Sequence, residues 1–241
     1  MSGRLLGAAA VVRMNKININ RITTIVVVGL LAVLVGYILW QNYQSKQPVD
    51  LEGIEIREYQ GEQLSSVATD FRENSIKGPQ YIDREDYRLK VTGLVDRPLN
   101  LTYDQLLDDY QSYQKVVTLY CVEGWDVKIL WRGLLFEDLL PQVGVKTEVN
   151  TVIFHAVDGY TTSFPIEYLL NNDILLAYQM NGVTIPPERG FPLMLVAESK
   201  WGYKWIKWIT EIEFSDDVNY KGYWESRGYS DSGDLDDFFL D

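Results

Sequence analysis

The sequence predicts an α+β domain, mostly strand with short helices, preceded by one transmembrane helix. Three observations carry this. Between Tyr87 and Phe214, short alternating apolar runs exchange with brief helical patterns, which fits a mixed layout better than regular βα repetition. Near the N-terminus, Ile22 to Trp40 reads ITTIVVVGLLAVLVGYILW without a charge. The 241 residues, 46% hydrophobic and 13% aromatic, suffice for one sizeable core and exclude wholesale disorder or a polytopic membrane protein. The expected organisation is a cytoplasmic segment over 1–21, a transmembrane helix over 22–40, a polar tether over 41–78, a folded domain over 79–229 and an acidic tail over 230–241.

At ~1.5 Å per residue the uncharged run reaches about 28 Å, close to the hydrocarbon thickness of a bilayer. Arg4, Arg13, Lys16 and Arg21 precede it, whereas residues 41–50 carry only Lys46 and Asp50, so the positive-inside bias puts the N-terminus in the cytoplasm and the domain outside. Tyr37, Trp40 and Tyr43 suit an aromatic belt, and no small-residue cleavage pattern follows. The reading is an uncleaved single-pass anchor in the cell membrane. The tether carries one short helix over Val67 to Glu73 and no chemistry.

Leu89, Val91, Gly93 and Val95 alternate with polar neighbours as a strand that Asp96, Arg97 and Pro98 end. Thr102 and Gln105 form a capping box ahead of Leu106 and Leu107. Further strands are read at Val116 to Cys121, Thr151 to Ala156, Leu175 to Met180, Leu193 to Ala197 and Ile209 to Phe214, with helices at Phe136 to Leu140 and Pro165 to Leu170. Asp231 to Asp241 holds five Asp and no base, a solvated frayed end or a docking strip for a basic partner.

The net charge of −12 argues against nucleic acid as a partner. A single Cys and a single His exclude an internal disulfide, a zinc finger and a multi-His metal cage. Cys121 stands where an apolar strand breaks into Val122-Glu123-Gly124-Trp125. Outside the cytoplasm a lone thiol is exposed to oxidation, and soft-metal coordination is a reason to keep one, against the alternative of a small buried hydrophobe. His155, at a strand end, is a half-buried imidazole, a hydrogen-bond partner in the cleft of Cys121, or the base of a Cys-His dyad. In Gly202-Tyr203-Lys204-Trp205-Ile206-Lys207-Trp208 two ammonium groups beside backbone donors make a phosphate seat, with an edge strand guarded by exposed lysines as the alternative.

Together these segments resemble the molybdopterin-binding domain of the sulfite oxidase family, from about Tyr81 to Tyr229. The resemblance rests on Leu119 to Trp125 with Trp131 and Gly133, on Asp158-Gly159-Tyr160, Leu176 to Gly182 with Pro186, Arg189-Gly190-Phe191-Pro192, Gly202 to Trp208, and Gly222 to Glu225 with Gly228-Tyr229. It implies molybdenum held by Cys121 and by the dithiolene of the pterin, with the Gly202 to Lys207 loop seating the pterin phosphate. His155, Asp158, Arg189, Tyr203, Lys204 and Lys207 are then the cofactor-binding set. Where the family has His-Gly-x-Pro-x-Arg this chain has Arg189-Gly190-Phe191-Pro192-Leu193-Met194, so Arg189 offers one charge-assisted contact and Met194 cannot bond as a guanidinium does. Position 156, Thr in some relatives, is Ala.

The implied reaction is oxygen-atom transfer on a small sulfur-oxo substrate, sulfite or a sulfoxide, with Lys128 and Arg132 as candidate anion contacts. No Cys-x-x-Cys-His haem motif occurs and no second domain is read after Phe214, so electrons leave or arrive through a separate carrier, a membrane cytochrome or a soluble redox protein, with a monomeric catalytic domain expected. Asn20-Arg21 is not the Arg pair of the folded-export route. Two other readings stand beside this one: a Cys121–His155 thiol hydrolase acting on cell-envelope material, and a cofactor-free binding or scaffold subunit with Tyr160, Trp201 and Trp205 lining its cleft.

Overall fold

The computed structural model describes residues 23–39, 51 and 53–240, and the chain divides into two compact units, Met1–Gln47 and Pro48–Asp241. In the first, residues 23–39 form helix α1, exposed along its length. Among the described residues no helix is long and apolar enough to cross a membrane. Ile22 and Trp40, the ends of the expected span, and the basic flank before it lie outside the described residues.

The second unit is built on two five-stranded sheets. One runs β10 (Val183–Thr184), β9 (Leu175–Met180), β6 (Asp126–Leu135), β5 (Tyr113–Tyr120), with β11 (Met194–Val196) also paired to β9. The other runs β4 (Leu99–Thr102), β3 (Arg88–Gly93), β12 (Ile209–Ser215), β7 (Thr151–Ala156), β8 (Thr161–Pro165), all antiparallel except β12 with β3. A small hairpin of β1 (Glu58–Tyr59) and β2 (Glu62–Gln63) precedes them. The helices are short: α2 (Tyr103–Asp108), α3 (Leu140–Val143) and α4 (Ile166–Asn171). The expected α+β class, mostly strand, is what forms.

Local signals worked where they were complete. Thr102 accepts from the Gln105 amide at 3.1 Å while the Gln105 side chain accepts from the Thr102 amide at 2.9 Å, so the capping box starts α2 as read. β3 buries Leu89 and Val91 and turns Arg88 and Lys90 outward. β6 was not foreseen, although Val127, Ile129 and Trp131 alternate; it is the strand that pairs both β5 and β9, and the Trp131 indole donates to the Val117 carbonyl at 3.1 Å.

Three expectations are corrected. Of the expected tether over 41–78, residues 41–50 and 52 lie outside the described residues and 53–78 are not a tether; over 67–73 the expected helix is replaced by turns and a bend followed by irregular backbone. Leu51, Leu64, Val67 and Phe71 are buried in the core, and the Phe71 ring meets Trp125 and Trp131 at 6.0 and 6.2 Å. Four apolar side chains spaced through a polar stretch show neither helical nor strand periodicity, so the burial left no local signature. Nor is the acidic tail frayed over its described residues, 230–240: Tyr229 bridges Leu240, Lys200 pairs with Asp234 at 2.5 Å, and the Trp201 amide donates to the Gly233 carbonyl at 2.7 Å.

Candidate active site

β5 ends at Tyr120 and Cys121 opens the turn to β6. The Cys121 amide donates to Trp125 O at 2.9 Å and the Gly124 amide to Cys121 O at 3.0 Å, a turn whose φ of +82° at Gly124 suits glycine. Trp201 bridges Tyr120, and Gly202 lies so close that a Cβ there would stand 3.1 Å from Tyr120 O. Glycine at 202 therefore brings the lysine segment against the strand end that carries the cysteine.

Cys121 faces a cavity of about 400 Å³ lined by aromatic rings, among them Phe71, Trp125, Tyr160, Trp205, Tyr223 and Trp224. Its polar lining includes Arg72, Asn74, Ser75, Glu123, Asp158 and Lys207. Burial pushes the Cys121 thiol up; a backbone amide at Glu123, the Asn74 side chain and the Arg72 charge oppose that rise, while the Glu123 carboxylate adds to it. Asp158 is buried and its carboxylate accepts from the Tyr160 amide at 2.9 Å. The Tyr160 hydroxyl donates to the Tyr203 carbonyl, and the Tyr203 hydroxyl to Ser230 O at 2.7 Å.

The two lysines part company. Lys204 is fully buried, and its ammonium donates to Ser163 O at 2.8 Å, Glu225 Oε1 at 2.7 Å and Asp231 O at 2.9 Å. An ammonium has three N–H groups, so none is left for a phosphate, and Lys204 does not line the cavity. Lys207 does, bridging Met194 with its Nζ 3.3 Å from Glu73 Oε1 and 4.3 Å from the centre of the Trp208 ring. Burial lowers its pKa to about 8 against the pull of Glu73.

Other expected site residues are elsewhere. His155 sits on β7 in the other sheet, its ring bonded to Glu213 Oε2 at 2.9 Å, and it does not line the cavity with Cys121; the Cys-His dyad has no geometric support. Arg189 donates to Val67 O at 3.0 Å and Ala68 O at 3.2 Å and stacks over Phe71 at 5.6 Å, holding the 66–71 turn instead of facing the cavity. Lys128 pairs with Glu62 and Arg132 bonds Ser112, both on the exposed surface and outside the cavity lining. Sequence reasoning missed Arg72, Asn74 and Ser75 because it read their segment as a tether. Asn74-Ser75 after Phe71-Arg72 breaks the apolar pattern but carries no periodic signal of its own.

These residues fit a pterin-bound metal. Among the described residues no group of three or more His, Cys, Asp or Glu gathers to hold a metal ion, so a metal at Cys121 takes its other donors from a bound molecule. Ser75 Oγ is buried without a hydrogen-bond partner in the cavity wall, which is where a polar ligand completes the pairing. The cavity volume lies in the usual range of about 300–1,000 Å³ for small-molecule sites, and its aromatic walls suit a flat ring system with Lys207 as the cation beside them.

Comparison with known proteins agrees. The chain is 37% identical over 157 residues to the uncharacterized oxidoreductase YuiH of Bacillus subtilis, covering 65% of this chain and 78% of that one. It is 34% identical over 149 residues to the putative protein-methionine-sulfoxide reductase subunit YedZ1 of Azospira oryzae, covering 62% and 56%. The fold is similar to that in the crystal structure of the sulfane dehydrogenase SoxCD from Paracoccus pantotrophus, with a TM-score of 0.62 at 25% identity over 70% of this chain and 46% of that one. The chain thus spans only about half the length of the last two. Residues 76–224 match the oxidoreductase molybdopterin binding domain; with its single thiol set into a cavity whose buried Ser75 hydroxyl awaits a partner, the chain belongs to that family and its cofactor is molybdenum-molybdopterin.

Proposed function

We propose that the protein is a membrane-anchored oxidoreductase whose domain lies outside the cytoplasm, where it moves an oxygen atom to or from a small sulfur-oxo substrate and exchanges electrons with a separate carrier. The observation that carries the substrate class is the placement of Arg72 and Asn74 in the cavity wall, close enough to oppose the burial of the Cys121 thiol. A relative named as a putative methionine-sulfoxide reductase subunit and a fold relative named as a sulfane dehydrogenase both support sulfur chemistry.

The bound cofactor supplies a two-electron redox change and an exchangeable oxo group. The chain does the rest. Cys121 would anchor the metal as thiolate, and Ser75, Asn74 and Lys207 in the cavity lining would bind the polar groups of the pterin. Arg72 receives the charged or strongly dipolar oxygens of the substrate by charge-assisted bonds. Phe71, Trp125 and Trp205 exclude water, which strengthens those bonds. In one direction sulfite plus water gives sulfate, two protons and two electrons; in the other a sulfoxide, two protons and two electrons give a sulfide and water.

The test is turnover of holoprotein with sulfite and an oxidising dye, with sulfoxides and a reduced viologen, and with nitrate as an outgroup. The reading expects turnover of a sulfur-oxo substrate, and Arg72→Gln should raise its KM roughly tenfold with kcat little changed. Turnover of nitrate alone, or Arg72→Gln without effect on KM, would contradict it. Deleting residues 1–40 should release the protein from membranes with its cofactor still bound, and protease should reach the domain in spheroplasts without lysis.

A further inference from the structure

We propose that the C-terminal strip around Phe238 is the docking surface for a basic one-electron carrier, an inference that rests on the redox reading of the Cys121 cavity. Ring contacts run without a break from that cavity to solvent. Tyr160 meets Tyr223 at 5.5 Å, Tyr223 meets Trp224 at 5.3 Å, Trp224 meets Tyr229 at 4.9 Å, Tyr229 meets Phe239 at 6.1 Å and Phe239 meets Phe238 at 4.7 Å. The first four line the cavity, and Phe238 is 69% exposed.

The strip is held in place. Phe239 wedges against Trp201 at 5.6 Å, the Ser230 amide donates to Phe239 O at 3.1 Å, and the Trp201 indole donates to Asp237 O at 3.1 Å. Lys200 neutralises Asp234 and Lys221 faces Asp231, whereas Asp236 and Asp237 beside Phe238 are exposed carboxylates whose side chains show no ion pair among the described residues. An apolar tip on a fixed backbone within an acidic rim matches a partner with an apolar patch in a basic rim, the arrangement that steers encounter by charge and seats it by burial. The chain's net charge of −12 disfavours an acidic partner at the same place. One electron crosses in each encounter, so two encounters with the carrier match one two-electron conversion of substrate.

The experiment titrates holoprotein with a basic mitochondrial cytochrome c at low ionic strength and reads complex formation by calorimetry, without turnover. Asp236→Asn with Asp237→Asn should weaken binding about fivefold or more and flatten its salt dependence. Phe238→Ala should weaken it by a similar factor while leaving the salt slope unchanged. The matched neutralisation Asp108→Asn with Asp109→Asn, at the end of α2, should change it less than about twofold. Equal weakening by both neutralised pairs, or Phe238→Ala without effect, would overturn the proposal. Dye-linked turnover, measured on the same proteins, reads the cavity alone: its absence in the unmodified chain would contradict the proposed reaction, and its loss in Phe238→Ala would mean the tail shapes the cavity instead of a docking surface.

Discussion

The cavity has two walls of different origin. One is the strand end at Cys121 with the Gly202 to Trp208 segment against it; the other is the 66–78 stretch carrying Arg72, Asn74 and Ser75. The first is held by the β5–β6 ladder, by isolated bridges from Trp201 to Tyr120 and from Lys207 to Met194, and by a close glycine contact. The second has no regular structure and is pinned from a distance. Glu55 accepts from the Ser66 hydroxyl at 2.6 Å and the Val67 amide at 2.8 Å, Arg189 holds two of its carbonyls, and Glu73 meets Lys207. The first wall left a local pattern in the sequence at β5, though not at its partner β6, whereas the long-range polar pins of the second left none.

The sharpest way to break this comparison is at the thiol. Cys121→Ser should abolish redox activity with the fold intact, because a protonated oxygen replaces a soft thiolate at nearly unchanged volume; activity above about a tenth of the unmodified protein would remove Cys121 from the metal. Next in size is Lys204→Met. It leaves Glu225 buried without its cation, and breaking such a pair costs about 3–5 kcal/mol, read as a fall in melting temperature of cofactor-free protein. A loss of cofactor without loss of stability would instead return Lys204 to the phosphate seat.

Lys207→Ala should weaken cofactor retention about tenfold, more than Arg189→Ala, which loosens only the second wall. The same lysine gives a pH dependence. Its pKa in the folded chain, about 8, lies below the ~10.4 of an unfolded lysine. The folded chain therefore releases the proton first; the cost of burying the charge is present below about pH 8 and is relieved as pH rises toward ~10.4, while the hold on an anionic cofactor is lost over the same rise. Molybdenum retained after gel filtration should be lower at pH 9 than at pH 7, and Lys207→Arg, which stays charged, should remove the difference. Smallest is Met194→Arg. If the pocket has kept its family shape, occupancy stays equal or rises; a collapse would mean that Met194, buried beside Lys207, is an apolar wall the cavity needs.

Much of the first wall was legible in the sequence. The strand read at Val116 to Cys121 forms as β5 and ends one residue earlier, at Tyr120; the glycine at 202, read as part of a phosphate seat, is the close contact with Tyr120 O; away from this wall the capping box at Thr102 forms as read. Lys204 and Lys207 look alike in sequence, three residues apart, yet one points beneath the turn to Glu225 and the other into the cavity. Only the partner from a distant segment separates them. His155 was misassigned for the same reason: its strand end is real, but the strand belongs to the other sheet and Glu213 from β12 takes its ring. Arg189, expected on the cofactor, turns its guanidinium to the carbonyls of Val67 and Ala68, which no local pattern reveals.

The central claim is that Cys121 is the chain's ligand to molybdenum. X-ray absorption at the molybdenum edge, on protein from a molybdenum-replete host and on Cys121→Ser purified beside it, tests this most directly. Stoichiometric molybdenum with the cysteine sulfur present beside the dithiolene pair, and that sulfur missing from the variant, is the predicted result. Molybdenum-free protein, or an unchanged sulfur shell in Cys121→Ser, would contradict it.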